Sequence, residues 1–142
     1  VLDNVQKFSS WAKEKNIIIK TDDVDENVCV NADIGLIERA MDNLISNGIK
    51  YNRQGGEIAV NVKKVGGAAM VEVKDNGEGI DQQDLPFIFN KFYRAGKNQS
   101  QNPGTGLGLA ITKKITELHE SEIFVNSIPG EGTSFHFQLP TV

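Results

Sequence analysis

The chain has a single cysteine, Cys29, and that scarcity removes two classes at once. An internal disulfide framework needs pairs of thiols, and a cysteine zinc site needs several. No apolar run approaches the ~20 residues required to span a bilayer, and nothing reads as a signal peptide. Positive charge is also short. The 15 Lys and Arg do not cluster and are outnumbered by 19 Asp and Glu, for a net charge of −4. Nucleic acid is therefore not the expected partner. Repeats, low-complexity stretches and long linkers are missing too. What remains is 142 residues with 39% hydrophobic and 24% charged content, the profile expected of one soluble globular domain with a real core. The chain begins at Val1 rather than methionine, which predicts a longer parent in which any membrane segment lies upstream.

The segment "VLDNVQKFSSWAKEKN" predicts one helix, because Val1, Val5, Phe8, Trp11 and Ala12 fall near helical spacing. "IIIKT" reads as a short strand. Asn31 or Asp33 is placed to cap a helix that runs to about Tyr51. "GGEIAVNVKKV" and "AAMVEVKD" predict a hairpin around Gly66-Gly67, and "EIFVNS" and "TSFHFQLP" a second one across "IPGEG". "LPFIFNKFYR" reads as short helix or irregular structure, and "TGLGLAITKKITELHE" as a helix entered through glycines. Helices and strands mix without βαβ alternation. The expected fold is an α/β sandwich (α+β): a mixed, mostly antiparallel sheet of about five strands, covered on one face by about three helices.

Three patterns carry chemistry. On the helix over 34–51, Ile37, Met41, Leu44, Ile45 and Gly48 share a core-facing stripe, while Asn43, Asn47 and Lys50 gather on another face. Asparagine is a poor mid-helix residue, since its amide competes for backbone hydrogen bonds. Amide oxygens suit a hard cation such as Mg²⁺, and lysine suits phosphate. An ordinary solvated face gives the same pattern.

In "PGTGLGLAI", Gly104, Gly106 and Gly108 precede a helix. Glycines admit close backbone approach, and a helix N-terminus favours an anion. The run is neither a Walker A loop nor GxGxxG, because Leu109 takes the last glycine position. A tight turn with close helix packing would use the same glycines.

In "KDNGEGIDQQDL", one carboxylate, Asp75, ends a strand before Gly77 and Gly79. A carboxylate accepts hydrogen bonds and donates none. It can meet the exocyclic amine of adenine but repels the carbonyl that guanine offers there. A plain Asp-Asn-Gly turn is the alternative.

In this order the patterns resemble the catalytic ATP-binding domain of bacterial sensor histidine kinases, within the superfamily of gyrase, Hsp90 and MutL ATPases. The resemblance covers nearly the whole chain, 1–142. "DNLISNGIKYN" is similar to the N box, "DNGEGI" to the G1 box, "FIFNKFYR" to the F box and "GTGLGLAI" to the G2 box. The family fold this implies is the Bergerat-type sandwich.

By that resemblance Asn47 matches the Mg²⁺-ligating asparagine, and Asn43, Lys50 and Tyr51 match N-box residues near the phosphates and nucleotide. Asp75 matches the adenine-binding aspartate, with Gly77, Gly79 and Ile80 in its loop. Phe89 and Phe92 match the F-box aromatics, and Arg94 an arginine that meets the γ-phosphate. Gly104, Thr105, Gly106, Leu107, Gly108 and Leu109 match the phosphate-side segment. Residues 95–103 stand where the family has its mobile ATP lid, and are expected to be mobile here.

The resemblance implies ATP, with ADP as product, and Mg²⁺. It also implies phosphotransfer to a histidine on a dimerisation domain upstream of residue 1, then relay to a response regulator receiver domain. The expected setting is cytoplasmic, without direct membrane contact from this segment, in a homodimeric parent that could be anchored in the inner membrane. Superfamily ATPases typically carry a glutamate as general base one turn before the magnesium asparagine. Here that position is Asn43, and an amide takes no proton at neutral pH. This favours transfer to histidine, whose neutral ring already has a lone pair. A degenerate nucleotide-binding module, or a serine kinase or ATPase of the same superfamily, are the competing readings. One departure stands out: the family's His-Gly-Gly after the last helix is His119-Glu120-Ser121 here. His119 is expected to cap a helix C-terminus rather than accept phosphate, and His136 to be a structural or surface residue.

Overall fold

The structure is a computed structural model, and it describes residues 1–93 and 106–142. Arg94, Gly104, Thr105 and the expected lid at 95–103 lie outside the described residues.

Three helices and a strand come first: α1 (Leu2–Lys7), α2 (Ser9–Glu14), β1 (Ile18–Lys20) and α3 (Ile34–Lys50). The hairpin β2 (Glu57–Val65) and β3 (Ala68–Asp75) follows, then a 3-10 turn at Leu85–Phe87 and α4 (Gly108–Leu118). The hairpin β4 (Phe124–Ile128) and β5 (Gly132–Pro140) closes the chain. The five strands form one sheet in the order β1-β2-β3-β5-β4. Only β1 runs parallel to its neighbour; the other pairs are antiparallel. The expected mixed, mostly antiparallel sandwich is what forms.

Strand alternation decides which face is covered. Ile58, Val60 and Val62 of β2, Val71 and Val73 of β3, and Phe135, Phe137 and Leu139 of β5 are buried in one cluster. Against them α3 places Met41, Leu44, Ile45 and Ile49. Gly48 belongs to the same stripe, and a Cβ there would lie 3.1 Å from Ile58 Cδ1. The missing side chain thus lets α3 lie close on β2. Asp33 is the N-cap: its Oδ1 accepts the Leu36 N–H at 3.0 Å.

The N-terminal segment departs from expectation. The single helix predicted over residues 1–16 is broken at Phe8 into α1 and α2. Ser9 Oγ bonds back to Gln6 O at 2.8 Å, the local competition by which serine weakens a helix interior. Apolar periodicity survives the break, since Val5, Phe8 and Trp11 still pack on the core and Ala12 is buried. Val1 is exposed. No helix among the described residues is long and apolar enough to cross a membrane.

Candidate functional site

Asp75 is the last residue of β3, paired with Ile58 on one side and Thr133 on the other. Its Oδ1 accepts the Gly77 N–H at 2.9 Å. Burial pushes its pKa up from 3.8 to about 6. The backbone N–H groups of Gly77 and Thr133 pull it down but do not prevail, and Glu78 adds repulsion. The site therefore holds a carboxylate that is short of donors, and a ligand donor would relieve it.

The loop after Asp75 is gripped from two directions. Glu78 N donates to Tyr51 O, 3.3 Å away at the end of α3. Ile80 N donates to Ser127 Oγ of β4 at 2.8 Å, and Gly130 N to Glu78 O at 2.8 Å. Both glycines of this loop are required by those contacts. A Cβ on Gly77 would fall 2.6 Å from Tyr51 O, and one on Gly79, at φ +73°, 2.3 Å from Ile128 O. The space these glycines leave is thus occupied by the protein's own backbone.

The middle of α3 meets the start of α4. Asn43 Nδ2 donates to Gly108 O at 3.1 Å and to Thr112 Oγ1 at 3.3 Å. A Cβ on Gly108 would touch the Asn43 side chain at an ordinary 3.7 Å. The Asn43 amide therefore ties two helices and has no basic character to offer a water. Asn47, one turn on, is half-buried, and its side-chain amide has no hydrogen-bond partner among the described residues. Lys50 Nζ lies 6.0 Å from the centroid of the Tyr51 ring.

No group of three or more His, Cys, Asp or Glu among the described residues could hold a metal ion. Carboxylates, imidazoles and thiols therefore form no metal cage among the described residues. Mg²⁺ takes oxygen ligands, keeps several waters and binds through few protein groups beside substrate phosphates, so the Asn47 amide oxygen fits that ion.

The aromatic segment divides. Phe89 packs edge-on against Phe135, centroids 6.2 Å apart, as part of the core wall. Phe92 is 70% exposed and adopts φ +64°. Its N–H donates to Gly106 O at 3.0 Å, and a Cβ on Gly106 would meet the Phe92 backbone at 2.7 Å. Tyr93 anchors the segment with its ring tilted against Phe87, centroids 5.7 Å apart, and a hydrogen bond donated to Asp84. Ile80 and Leu109 pack partly buried against the core, and Leu107 is the N-cap of α4.

Sequence reasoning missed three contributors. Gly132, at φ +138°, would put a Cβ 2.1 Å from Asp75 O, so "GEGT" belongs to the site; its paired glycines were the available signal. Ser127 gathers Ile80 N, Gly132 O and Thr133 Oγ1 within 3.0 Å. Lys15 donates to three carbonyls at the end of α3; nothing in its sequence context marks it. His119 sits as expected at the C-cap of α4, with Nδ1 at 2.8 Å from Ile115 O. Its Nε2 accepts the Asp33 N–H at 3.0 Å, which places the proton on Nδ1. Glu120 follows at φ +54°, the left-handed position that glycine would fill without strain.

Comparison with known proteins places this geometry. The family model for histidine kinase-, DNA gyrase B-, and HSP90-like ATPases matches residues 32–142. The sensor histidine kinase WalK of Bacillus subtilis is 36% identical over 131 residues, covering 90% of this chain and 21% of its own length. The chain thus spans about a fifth of that curated relative. Full-length ShkA in complex with AMPPNP superposes with a TM-score of 0.84 at 25% identity, covering 99% of this chain and 29% of that one. Histidine kinase ThkA in complex with the response regulator protein TrrA gives 0.78 at 25% identity, covering 99% of this chain and 39% of that one. The match over most of the chain, on the sandwich described above, makes this protein a member of the histidine kinase-, DNA gyrase B- and HSP90-like ATPase family.

Proposed function

We propose that this chain is the ATP-binding catalytic domain of a two-component sensor histidine kinase. In this reading it transfers the γ-phosphoryl group of ATP to a histidine on a separate dimerisation domain. The observation that carries the reading is the half-buried, donor-poor carboxylate of Asp75, fixed at the junction of β3, α3 and the β4–β5 hairpin. The adenine amine is a donor of the kind it lacks. AMPPNP in the ShkA relative supports an adenine nucleotide as the ligand.

Asn47 supplies an amide oxygen to Mg²⁺, which neutralises phosphate charge when bound. Lys50 at the end of α3 adds a positive charge, and Tyr51 flanks the nucleotide. Gly106, Leu107 and Gly108 present backbone at the start of α4, and the family resemblance assigns Arg94, Gly104 and Thr105 a phosphate-binding role. Bond making is then an attack of a neutral imidazole nitrogen on the γ-phosphorus, with ADP leaving. Asn43, already donating to Gly108 and Thr112, abstracts no proton from water, so hydrolysis is disfavoured.

The acceptor domain lies elsewhere in a homodimeric, cytoplasmically oriented parent. A response regulator receiver domain is the downstream partner, a reading supported by ThkA in complex with the response regulator protein TrrA. The test is transfer from labelled ATP to a histidine-bearing helical hairpin of the dimerisation type, supplied in trans. Acid-labile label on the hairpin is expected. No label, with ADP binding intact, would reduce the domain to a nucleotide-binding module.

A further inference from the structure

We propose that Lys15, which lies upstream of the family-matched residues 32–142, is a positioning residue for the nucleotide site. The proposal rests on the adenine-nucleotide reading above. A helix end leaves its last carbonyls without intrahelical partners. At the end of α3 one ammonium collects them. Lys15 Nζ donates to Ile49 O at 2.9 Å and Asn52 O at 3.1 Å, with a longer contact of 3.4 Å to Lys50 O. An ammonium has three donors, so these three acceptors use it fully, and it has no proton left for a ligand. A cation there also complements the negative end of the helix dipole.

The other side of the same turn carries the Asp75 loop. Tyr51 O accepts the Glu78 N–H, and a Cβ on Gly77 would lie 2.6 Å from Tyr51 O and 3.2 Å from Asn52 Cα. Residues 51 and 52 are therefore held between Lys15 behind and the Asp75–Glu78 loop in front. The Lys15 backbone is itself fixed, its carbonyl accepting the Gly55 N–H at 3.0 Å. Removing the ammonium leaves the Ile49, Lys50 and Asn52 carbonyls without that partner, so the turn loses its restraint on the side away from the loop. The site geometry that depends on Tyr51 O moves with it.

The experiment uses the full chain, with Lys15→Met and Lys15→Arg beside wild type and Asp75→Asn. Magnesium-ADP affinity is measured by titration calorimetry well below every melting temperature, and melting is measured without nucleotide. Lys15→Met is expected to raise the ADP Kd roughly five- to fiftyfold, the range set by weakening one buried hydrogen bond to the nucleotide. Lys15→Arg, which keeps the charge and donors, should stay within about threefold of wild type. A Lys15→Met protein that melts earlier but binds ADP within twofold of wild type would make the residue merely structural and overturn the proposal. If Lys15→Met fails to fold, Lys15→Gln is read the same way, and failure of both to fold overturns it as well. Wild type that binds no ADP would refute the nucleotide reading. ADP binding that is weakened by Asp75→Asn but not by Lys15→Met refutes the Lys15 role alone.

Discussion

Asp75→Asn should make the nucleotide-free domain more stable at neutral pH while weakening its hold on ATP. Burial raises the Asp75 pKa from 3.8 to about 6. The folded state thus binds this proton more tightly than the unfolded chain does. For an acid shifted upward, stability is greatest below the unfolded pKa and falls as pH rises through the folded one. The window is therefore about pH 4 to 6. The shift corresponds to a charge burial cost of about 3 kcal/mol, reduced to roughly 1–3 kcal/mol because the side chain is only partly shielded from solvent. Asparagine keeps the shape and an acceptor for Gly77 N–H but carries no charge, so the cost disappears. Denaturant melts of both proteins at pH 5 and pH 7.5 give the comparison, with other carboxylates cancelling in the difference. The variant's advantage should be larger at pH 7.5. ATP affinity should fall tenfold to a hundredfold, since the amide's donor faces the adenine amine in place of an acceptor. Equal advantage at both pH values, or unchanged ATP affinity, would refute the argument.

Asn47→Ala should abolish the Mg²⁺-dependent part of ATP binding while leaving metal-free ADP binding within about twofold; calorimetry with and without Mg²⁺ checks this. The chain alone with labelled ATP should acquire no acid-labile phosphate, because His119 Nε2 already accepts the Asp33 N–H; label that disappears in His119→Gln would show otherwise. Glu120→Gly should raise stability by roughly 0.5–1 kcal/mol, since a non-glycine residue at φ +54° carries left-handed strain; thermal melts decide.

What was legible in the sequence follows period and punctuation. The stripe of α3, both hairpins and the glycine entry to α4 are local signals, and each appears where its spacing places it. The N-terminal segment predicts one helix and forms two, because periodicity reports which residues face the core, not whether the backbone between them is continuous. Phe8 and Trp11 reach the core on either side of a break that Ser9 encourages. At the site, the residues on one element were readable and those acting across elements were not. Asp75 could be singled out as a strand-end acid, but its neighbour Thr133 is 58 residues away and enters by ladder register. Lys15 acts on carbonyls, which every residue has, so no residue type at its target marks the contact.

A carboxylate that prefers its proton up to about pH 6 would ordinarily relax toward water, and its loop would open with it. Here the loop cannot open without breaking Glu78 N to Tyr51 O, Ile80 N to Ser127 Oγ and Gly130 N to Glu78 O together. Each is a modest bond of about 0.5–1.5 kcal/mol, and three together are comparable with the roughly 1–3 kcal/mol they restrain. Asp75 therefore stays charged and under-solvated at neutral pH because two separate parts of the fold clamp its loop. On the proposed reading, the residues behind the clamps are then places where binding can be weakened without altering Asp75 itself. The α3 clamp is backed by Lys15 and the hairpin clamp by Ser127, so both lie within reach of single substitutions.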